Sequence, residues 1–263
     1  MKILLTNDDG IRALGIWAMA AALIEKQHEV IIVAPMKQQS GMSHALSVLR
    51  QLEFIRIKDE QIKELMKVHC PNVELDKSIE TWAIDGTPTD CVKIYLEAMI
   101  EGNYPDVIIS GINHGANLAT DVLYSGTVGA AVEGFLHEIS SVAVSLNIES
   151  LIPFEEAAKI TLEYVEKTMK ENESKAFFHN INFPKTFKDD KPEFKFARLG
   201  HRDYINAFQQ HTDEKGRTFY RVGGQVYDVD RSEGTDIFAS EEGYIAVTPL
   251  HVDLTDYELL KND

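Results

Sequence analysis

Lys2-Ile-Leu-Leu-Thr-Asn-Asp-Asp-Gly10 opens a unit that runs through Gly15–Lys26 (GIWAMAAALIEK) into Val30-Ile-Ile-Val-Ala34. The apolar run that begins at Ile3 reads as a short strand over Lys2–Thr6, and near-continuous apolar strands suit a sheet covered on both faces. In Gly15–Lys26 the residues Trp17, Ala20, Ala21 and Ile24 recur at helical spacing and share a face. Val30–Ala34 is β-branched and apolar, and Pro35 ends it. Strand, helix and strand within the first 34 residues make a βαβ unit, in which the strands are parallel and the crossover is right-handed.

The same alternation continues outward from this unit. Pro88–Ile100 predicts a helix, with Thr87 as N-cap and Pro88 at its first position. Val107–Ile109 predicts a third parallel strand, followed by a Gly/Asn-rich loop over Gly111–Tyr124. Thr127–His137 is a helix with a small-residue face, Val142–Leu146 a fourth strand, Glu155–Lys170 a helix and Phe177–Phe183 a fifth strand. Between residues 36 and 82 only one or two extended segments, within Ala45–Ile57, are legible. Past Pro184, Asn206–Thr212 and Arg217–Val222 flank the turn Asp213-Glu-Lys-Gly216 and predict a hairpin. Thr235-Asp236 starts a short helix, and Gly243–Pro249 is a last strand. The expected fold is α/β: a three-layer Rossmann-like core with a mostly parallel sheet over 1–184, and a β-rich C-terminal extension over 185–263 that returns to the core. A two-stranded hairpin is marginal alone, so it packs on its own core or on a partner subunit.

Composition narrows the function. Lys+Arg 26 against Asp+Glu 42 gives a net charge of −16, which argues against a nucleic-acid duplex as partner, since that needs a basic face. An anionic small substrate has to be met by a metal or by backbone amides. Cys70 and Cys91 make no disulfide framework and read as reduced thiols. The N-terminal apolar run stops at Thr6 and no run approaches the ~20 residues of a membrane helix, so no membrane association and a cytoplasmic location are expected. No G-x-G-x-x-G follows the first strand and no G-x-x-x-x-G-K-[ST] occurs, which excludes dinucleotide dehydrogenases and P-loop enzymes.

In open parallel sheets, ligands sit at the carboxyl ends of the strands. Asn7-Asp8-Asp9-Gly10 follows the first strand, Pro35–Ser43 the second, and Ser110–Asn117 the third, with Asp121 and Tyr124-Ser-Gly-Thr127 beyond. These loops should meet on one edge and supply carboxylates, hydroxyls and amides, hard oxygen donors suited to Mg²⁺, Mn²⁺ or Ca²⁺. Adjacent carboxylates such as Asp8 and Asp9 repel each other unless a cation or proton lies between them. Taken alone, one would cap a helix and the other would be solvated; their place between polar loops favours a metal site, on a surface expected to face solvent. Ser125-Gly126-Thr127 begins a helix, where free amides attract anions. His44 and His114 stand in the loops as candidate general acids, while Cys91, Trp17 and Trp82 read as packing residues.

Together these segments resemble the SurE family of metal-dependent 5′-nucleotidases (survival protein E). The resemblance rests on Ile3–Gly10, Ala34-Pro35 with Ser40-Gly41, Gly86–Cys91, Ser110–Asn113 with Gly115 and Asn117, Asp121-Val122 with Tyr124–Ala131, and Thr248–Leu254. It carries little over 50–82 and 185–235, and Leu14 stands where many members have proline. The resemblance implies one divalent metal ion, Mg²⁺ or Mn²⁺, held by Asp8, Asp9, Ser40 and Asn113. It places Ser125, Gly126 and Thr127 beside the phosphate, with Asn117 and Ser43 as further contacts. It also implies a C-terminal hairpin exchanged between subunits, giving a homodimer or tetramer.

The reaction expected on this basis is hydrolysis of a nucleoside 5′-monophosphate, with 3′-monophosphates and short polyphosphate as further substrates. Asp8 would orient or deprotonate the attacking water and Asp9 would be mainly a ligand. Attack by Asp8 itself, forming an aspartyl-phosphate, is the mechanistic rival. Three other classes compete: a silent metal- or nucleotide-binding regulator, a sugar-nucleotide enzyme, and a signalling receiver domain. The receiver needs an Asp ending the third strand, where this chain has Gly111-Ile-Asn113.

Overall fold

The computed structural model describes residues 1–73, 79–172 and 175–260. In chain order its strands are β1 (Lys2–Thr6), β2 (Glu29–Pro35), β3 (Phe54–Arg56), β4 (Glu80–Ile84), β5 (Val107–His114), β6 (Ser140–Leu146), β7 (Phe178–Phe183), β8 (Phe194–Phe196), β9 (His201–Ile205), β10 (Phe208–Thr212), β11 (Thr218–Val222), β12 (Gln225–Asp230) and β13 (Ile245–Pro249). The α-helices are α1 (Leu14–Glu25), α2 (Asp59–His69), α3 (Pro88–Ile94), α4 (Gly126–Leu136), α5 (Phe154–Glu171), α6 (Asp236–Glu241) and α7 (Tyr257–Leu260). A π-helical turn, Tyr95–Met99, prolongs α3, and a 3₁₀ segment, Ala119–Leu123, precedes α4.

Nine strands form one sheet in the order β3-β4-β2-β1-β5-β6-β7-β13-β8. From β4 to β7 neighbouring strands run parallel; β3 pairs antiparallel with β4 and β13 antiparallel with β7. The chain moves outward from β1 through β2 to one side, then returns to β5 and moves outward on the other. The order therefore reverses between β1 and β5, and loops leaving their C-terminal ends diverge to leave a crevice there.

Alternation along β1 sorts the core. Ile3 and Leu5 pack with α1, α2 and α5 on one face, and Leu4 packs with α3 and Ala130 of α4 on the other. Trp17 is fully buried and its indole N–H donates to the Ile11 carbonyl at 2.7 Å, so its one polar atom is satisfied inside the core. Cys91 is wholly buried, whereas Trp82 is only half-buried, beside Phe54 and under Arg56.

The legible elements fall where the sequence places them, within a residue or two; β8, β9 and β12 were not anticipated around the expected hairpin, and the largest gap is 36–82. There α2 and β4 were not anticipated. In α2 only Ile62 and Met66 are buried, so its apolar stripe is narrow; β4 is five residues holding Thr81 and Trp82 amid charged neighbours. Pro88–Ile100 is α3 plus the π turn, and the strand expected at Val107–Ile109 continues to His114, so the loop expected from Gly111 begins later.

β9 pairs with β12 and β10 with β11, making one long antiparallel arm. Phe208, Tyr220, Val222 and Tyr227 lie more than half exposed on it. β8, α6 and β13 lie on the main body; the last three residues of the extension fall outside the described set. Among the described residues no helix is long and apolar enough to cross a membrane.

Candidate functional site

Three loops meet at the β1/β5 crevice, and hydrogen bonds show how. The Thr127 hydroxyl, in the first turn of α4, donates to Asp8 Oδ1 at 2.5 Å. The backbone N–H of His114, at the end of β5, donates to Asp9 Oδ2 at 3.1 Å. Gln38, after β2, reaches Asp9 Oδ1 at 3.4 Å and Ser40 Oγ at 3.0 Å through the same amide nitrogen. The Asn7 side chain closes the turn by bonding both the N–H and the carbonyl of Gly10. Asn113 donates to the Gly115 carbonyl at 2.7 Å, which leaves Oδ1 as its available ligand atom.

Asp8 does not face solvent as expected: it is 5% exposed. Burial, together with the charge of Asp9, pushes its carboxyl up to about 6, against the hydrogen bonds from Thr127 that favour the ionised form. No cation among the described residues acts on it. A buried carboxylate next to a second carboxylate, with an amide N–H bridging Asp9 to Ser40, is a donor set that fits a small divalent cation. Asp8, Asp9, Ser40 and Asn113 all contribute oxygen to this edge, while Cys91 is a fully buried residue of α3.

The start of α4 stands against Asp8. Ser125 is its N-cap, with Oγ accepting from Val128 N at 3.1 Å. Gly126 is glycine for a reason of space: a Cβ there would lie 3.0 Å from Asp8 Cβ and 3.3 Å from its Oδ2. The residues expected around a phosphate are thus brought directly beside Asp8, and Thr127 is also tied to it.

Two expected phosphate contacts have their donors directed elsewhere. The Ser43 hydroxyl donates to the Leu123 carbonyl at 2.6 Å. Asn117 is buried; its Nδ2 donates to Ser145 Oγ at 2.7 Å, and its backbone N–H and carbonyl are held by Asn182 and Asn180. In this arrangement both fix loops. The loop histidines are also engaged: the His114 ring stacks edge-on against Phe154, and His44 bonds Glu133 at 2.7 Å.

Several residues of the site escaped the sequence reading. Gln38 offered no signal among other polar loop residues. Asn180 and Asn182 did: they share a face with Phe178 in β7, and a buried polar residue in a core strand needs a partner. From the C-terminal arm, Arg202 and Tyr204 reach Asp121 at 3.1 and 2.8 Å, fixing the segment that leads into Ser125.

Comparison with known proteins gives a consistent result. The family described as Survival protein SurE matches residues 3–206. Proteins called 5′-nucleotidase SurE are similar to the chain: one from Caldanaerobacter subterraneus is 39% identical, covering 99% of this chain and 95% of that protein. One from Pelotomaculum thermopropionicum is 42% identical, covering 99% and 93%. The crystal structure of the SurE protein from Aquifex aeolicus superposes with a TM-score of 0.79 at 34% identity, covering 100% of this chain and 98% of that one.

Proposed function

The chain belongs to the SurE family, and we propose that it is a 5′-nucleotidase, a divalent-metal-dependent hydrolase of nucleoside 5′-monophosphates. The observation that carries this reading is the buried Asp8 carboxylate. It is set beside Asp9 and against the start of α4, with no cation among the described residues to neutralise it. Such a pair is costly unless a cation joins it, and a helix start next to a cation is a seat for phosphate.

Asp8, Asp9, Ser40 and Asn113 would hold the metal. When bound, a divalent cation supplies positive charge that neutralises phosphate oxygens and makes a nearby water more acidic. Asp8 would orient the attacking water and take its proton; the Thr127 bond to Oδ1, with Oδ2 on the Gly126 side, supports this role. Asp9, held by the His114 amide, keeps its orientation as a ligand. The N-cap and first-turn backbone of α4 at Ser125, Gly126 and Thr127 would border the equatorial phosphate oxygens. Ser43 and Asn117 support this cradle from behind through Leu123 and the β6–β7 edge. Activity on 3′-monophosphates and short polyphosphate follows from the same seat, which grips phosphate rather than base.

The projecting arm β9–β12, with its exposed Phe208, Tyr220 and Tyr227, is best covered by a second copy of the chain, in a homodimer or tetramer. The domain reading is a core over 1–184 and an extension over 185–263 whose arm serves assembly.

The test is phosphate release from a panel of nucleoside 5′- and 3′-monophosphates in EDTA, then with Mg²⁺ or Mn²⁺ restored. Metal-dependent release is expected. A folded, metal-loaded protein that releases no phosphate from any nucleotide would overturn the assignment in favour of a silent regulator.

A further inference from the structure

Of the buried carboxylates outside the metal site, Asp90 and Glu133 face the same segment. Asp90, on α3, is 3% exposed; its Oδ1 accepts from Ser47 N at 3.0 Å and its Oδ2 from the Ser47 hydroxyl at 2.7 Å. Glu133, on α4, is 2% exposed; its Oε2 accepts from His44 Nε2 at 2.7 Å. The Thr87 hydroxyl donates to the Ala45 carbonyl at 2.7 Å, and Ser43 is fastened to Leu123 and Tyr124 through its hydroxyl and N–H. Within 43–47 four of the five residues are therefore tied to α3, α4 or the segment before α4.

This strap has no strand or helix of its own, and its apolar side chains do not anchor it. Leu46 is 41% exposed and the following Val48 and Leu49 are 81% and 100% exposed. The strap is held by polar bonds to buried acids, and its backbone lies directly on α4. A Cβ on Gly129 would come within 2.3 Å of the Ser43 carbonyl oxygen, so no other residue allows this approach. The strap begins three residues after Ser40.

Glu133 with Glu97 and His137 has the look of a second metal cluster. The Lys93 ammonium already sits there, 2.6 Å from Glu97 and 3.0 Å from Glu133, with His137 3.4 Å from Glu133. Lys93 neutralises Glu133 from α3, which leaves Oε2 turned to His44. The cluster is a joint between α3, α4 and the strap.

We propose that Glu133 and Asp90 are positioning residues: acting through His44 and Ser47, they clamp the strap so that Ser40 is held at the metal-binding edge. The proposal rests on the assignment of Ser40 as a metal ligand. Neither acid touches metal or substrate.

The test unlatches the strap from its outer side, leaving both acids in place. The His44→Ala/Ser47→Ala double variant is compared with His44→Gln, which keeps a donor to Glu133, and with Ser40→Ala and Asp9→Asn. Mn²⁺ affinity of the whole protein is measured by titration calorimetry or by the free-ion EPR signal, alongside thermal melting, kcat and KM. The expected result is at least a tenfold weaker Mn²⁺ affinity in the double variant, measured below the onset of its single cooperative melt, which is lowered because Glu133 and Asp90 lose partners, and recovery to within about threefold in His44→Gln. A double variant that binds Mn²⁺ as the parent does, while Ser40→Ala binds it weakly, overturns the clamp and leaves the site assignment standing. If Asp9→Asn and Ser40→Ala also bind Mn²⁺ normally, the site assignment fails and the clamp, which rests on it, fails with it.

Discussion

Asp8→Asn should make the metal-free protein more stable while abolishing its activity. The Asp8 carboxyl is raised from 3.8 to about 6 by burial, with Asp9 adding to the effect. A raised value means that the fold disfavours the charged form. The cost is absent below 3.8, grows as pH rises through the interval, and is complete above about 6. The interval is 6 − 3.8 = 2.2 units, which at about 1.4 kcal/mol per unit amounts to roughly 3 kcal/mol at pH 8. Asparagine carries no charge, and its Oδ1 can still accept the Thr127 hydroxyl, so most of that cost is relieved. In EDTA at pH 8 the variant should unfold about 2–3 kcal/mol less readily, a rise of roughly 5–10 °C in Tm for a chain of this size. At pH 4 the difference should shrink below about 1 kcal/mol, because the parent is then protonated. Mn²⁺ should raise the Tm of the parent far more than that of the variant, since a ligand that binds the folded state stabilises it. Thermal unfolding at the two pH values, with and without EDTA, checks each step. A variant no more stable than the parent at pH 8 in EDTA, or one whose advantage persists unchanged at pH 4, would refute the reasoning from burial.

Gly126→Ala would drive a methyl group to 3.0 Å from Asp8 Cβ, so metal-dependent phosphate release should fall at least tenfold while circular dichroism stays native. Glu133 works with the opposite sign to Asp8: burial alone would raise its carboxyl, but the bonds from His44 and Lys93 bring it down to about 2. Its contribution, roughly 3 kcal/mol at most, is present above 4.5 and lost as pH falls towards 2, so Glu133→Gln should be less stable than the parent at pH 6 and equal to it near pH 2 in acid titrations. Asn182→Ala should cost about 2–4 kcal/mol in denaturant unfolding, because it strips the buried Asn117 backbone of one bond to its N–H and one to its carbonyl.

Much of this was legible in order along the chain. The apolar runs at Lys2–Thr6 and Glu29–Pro35, separated by a helical face, dictate a parallel pair, because only parallel strands need such a crossover. The Asp8-Asp9 pair at a strand end marked the candidate site, because like charges at adjacent positions call for a cation. What the order could not give was depth. Asp8 looked solvent-facing because its neighbours are polar, but α4 folds over it through Gly126 and Thr127, more than a hundred residues away in the chain. α2 and β4 were hidden because one buries only two side chains and the other carries charge at its start.

The sequence by itself determined the core strands β1, β2, β5, β6 and β7, which loops leave their carboxyl ends, and which oxygen donors those loops carry, since these follow from local spacing and chemistry. Only the tertiary structure decided that β1 and β5 are neighbours, and so that the loops carrying Asp9, Ser40 and Asn113 share one crevice. It also decided which donors are turned inward: Asn117, Ser43 and His44 are as polar as Ser40, yet their bonds go to the protein. The physical reason is that strand order and side-chain direction come from long-range packing across the sheet and onto α4, which no local pattern records.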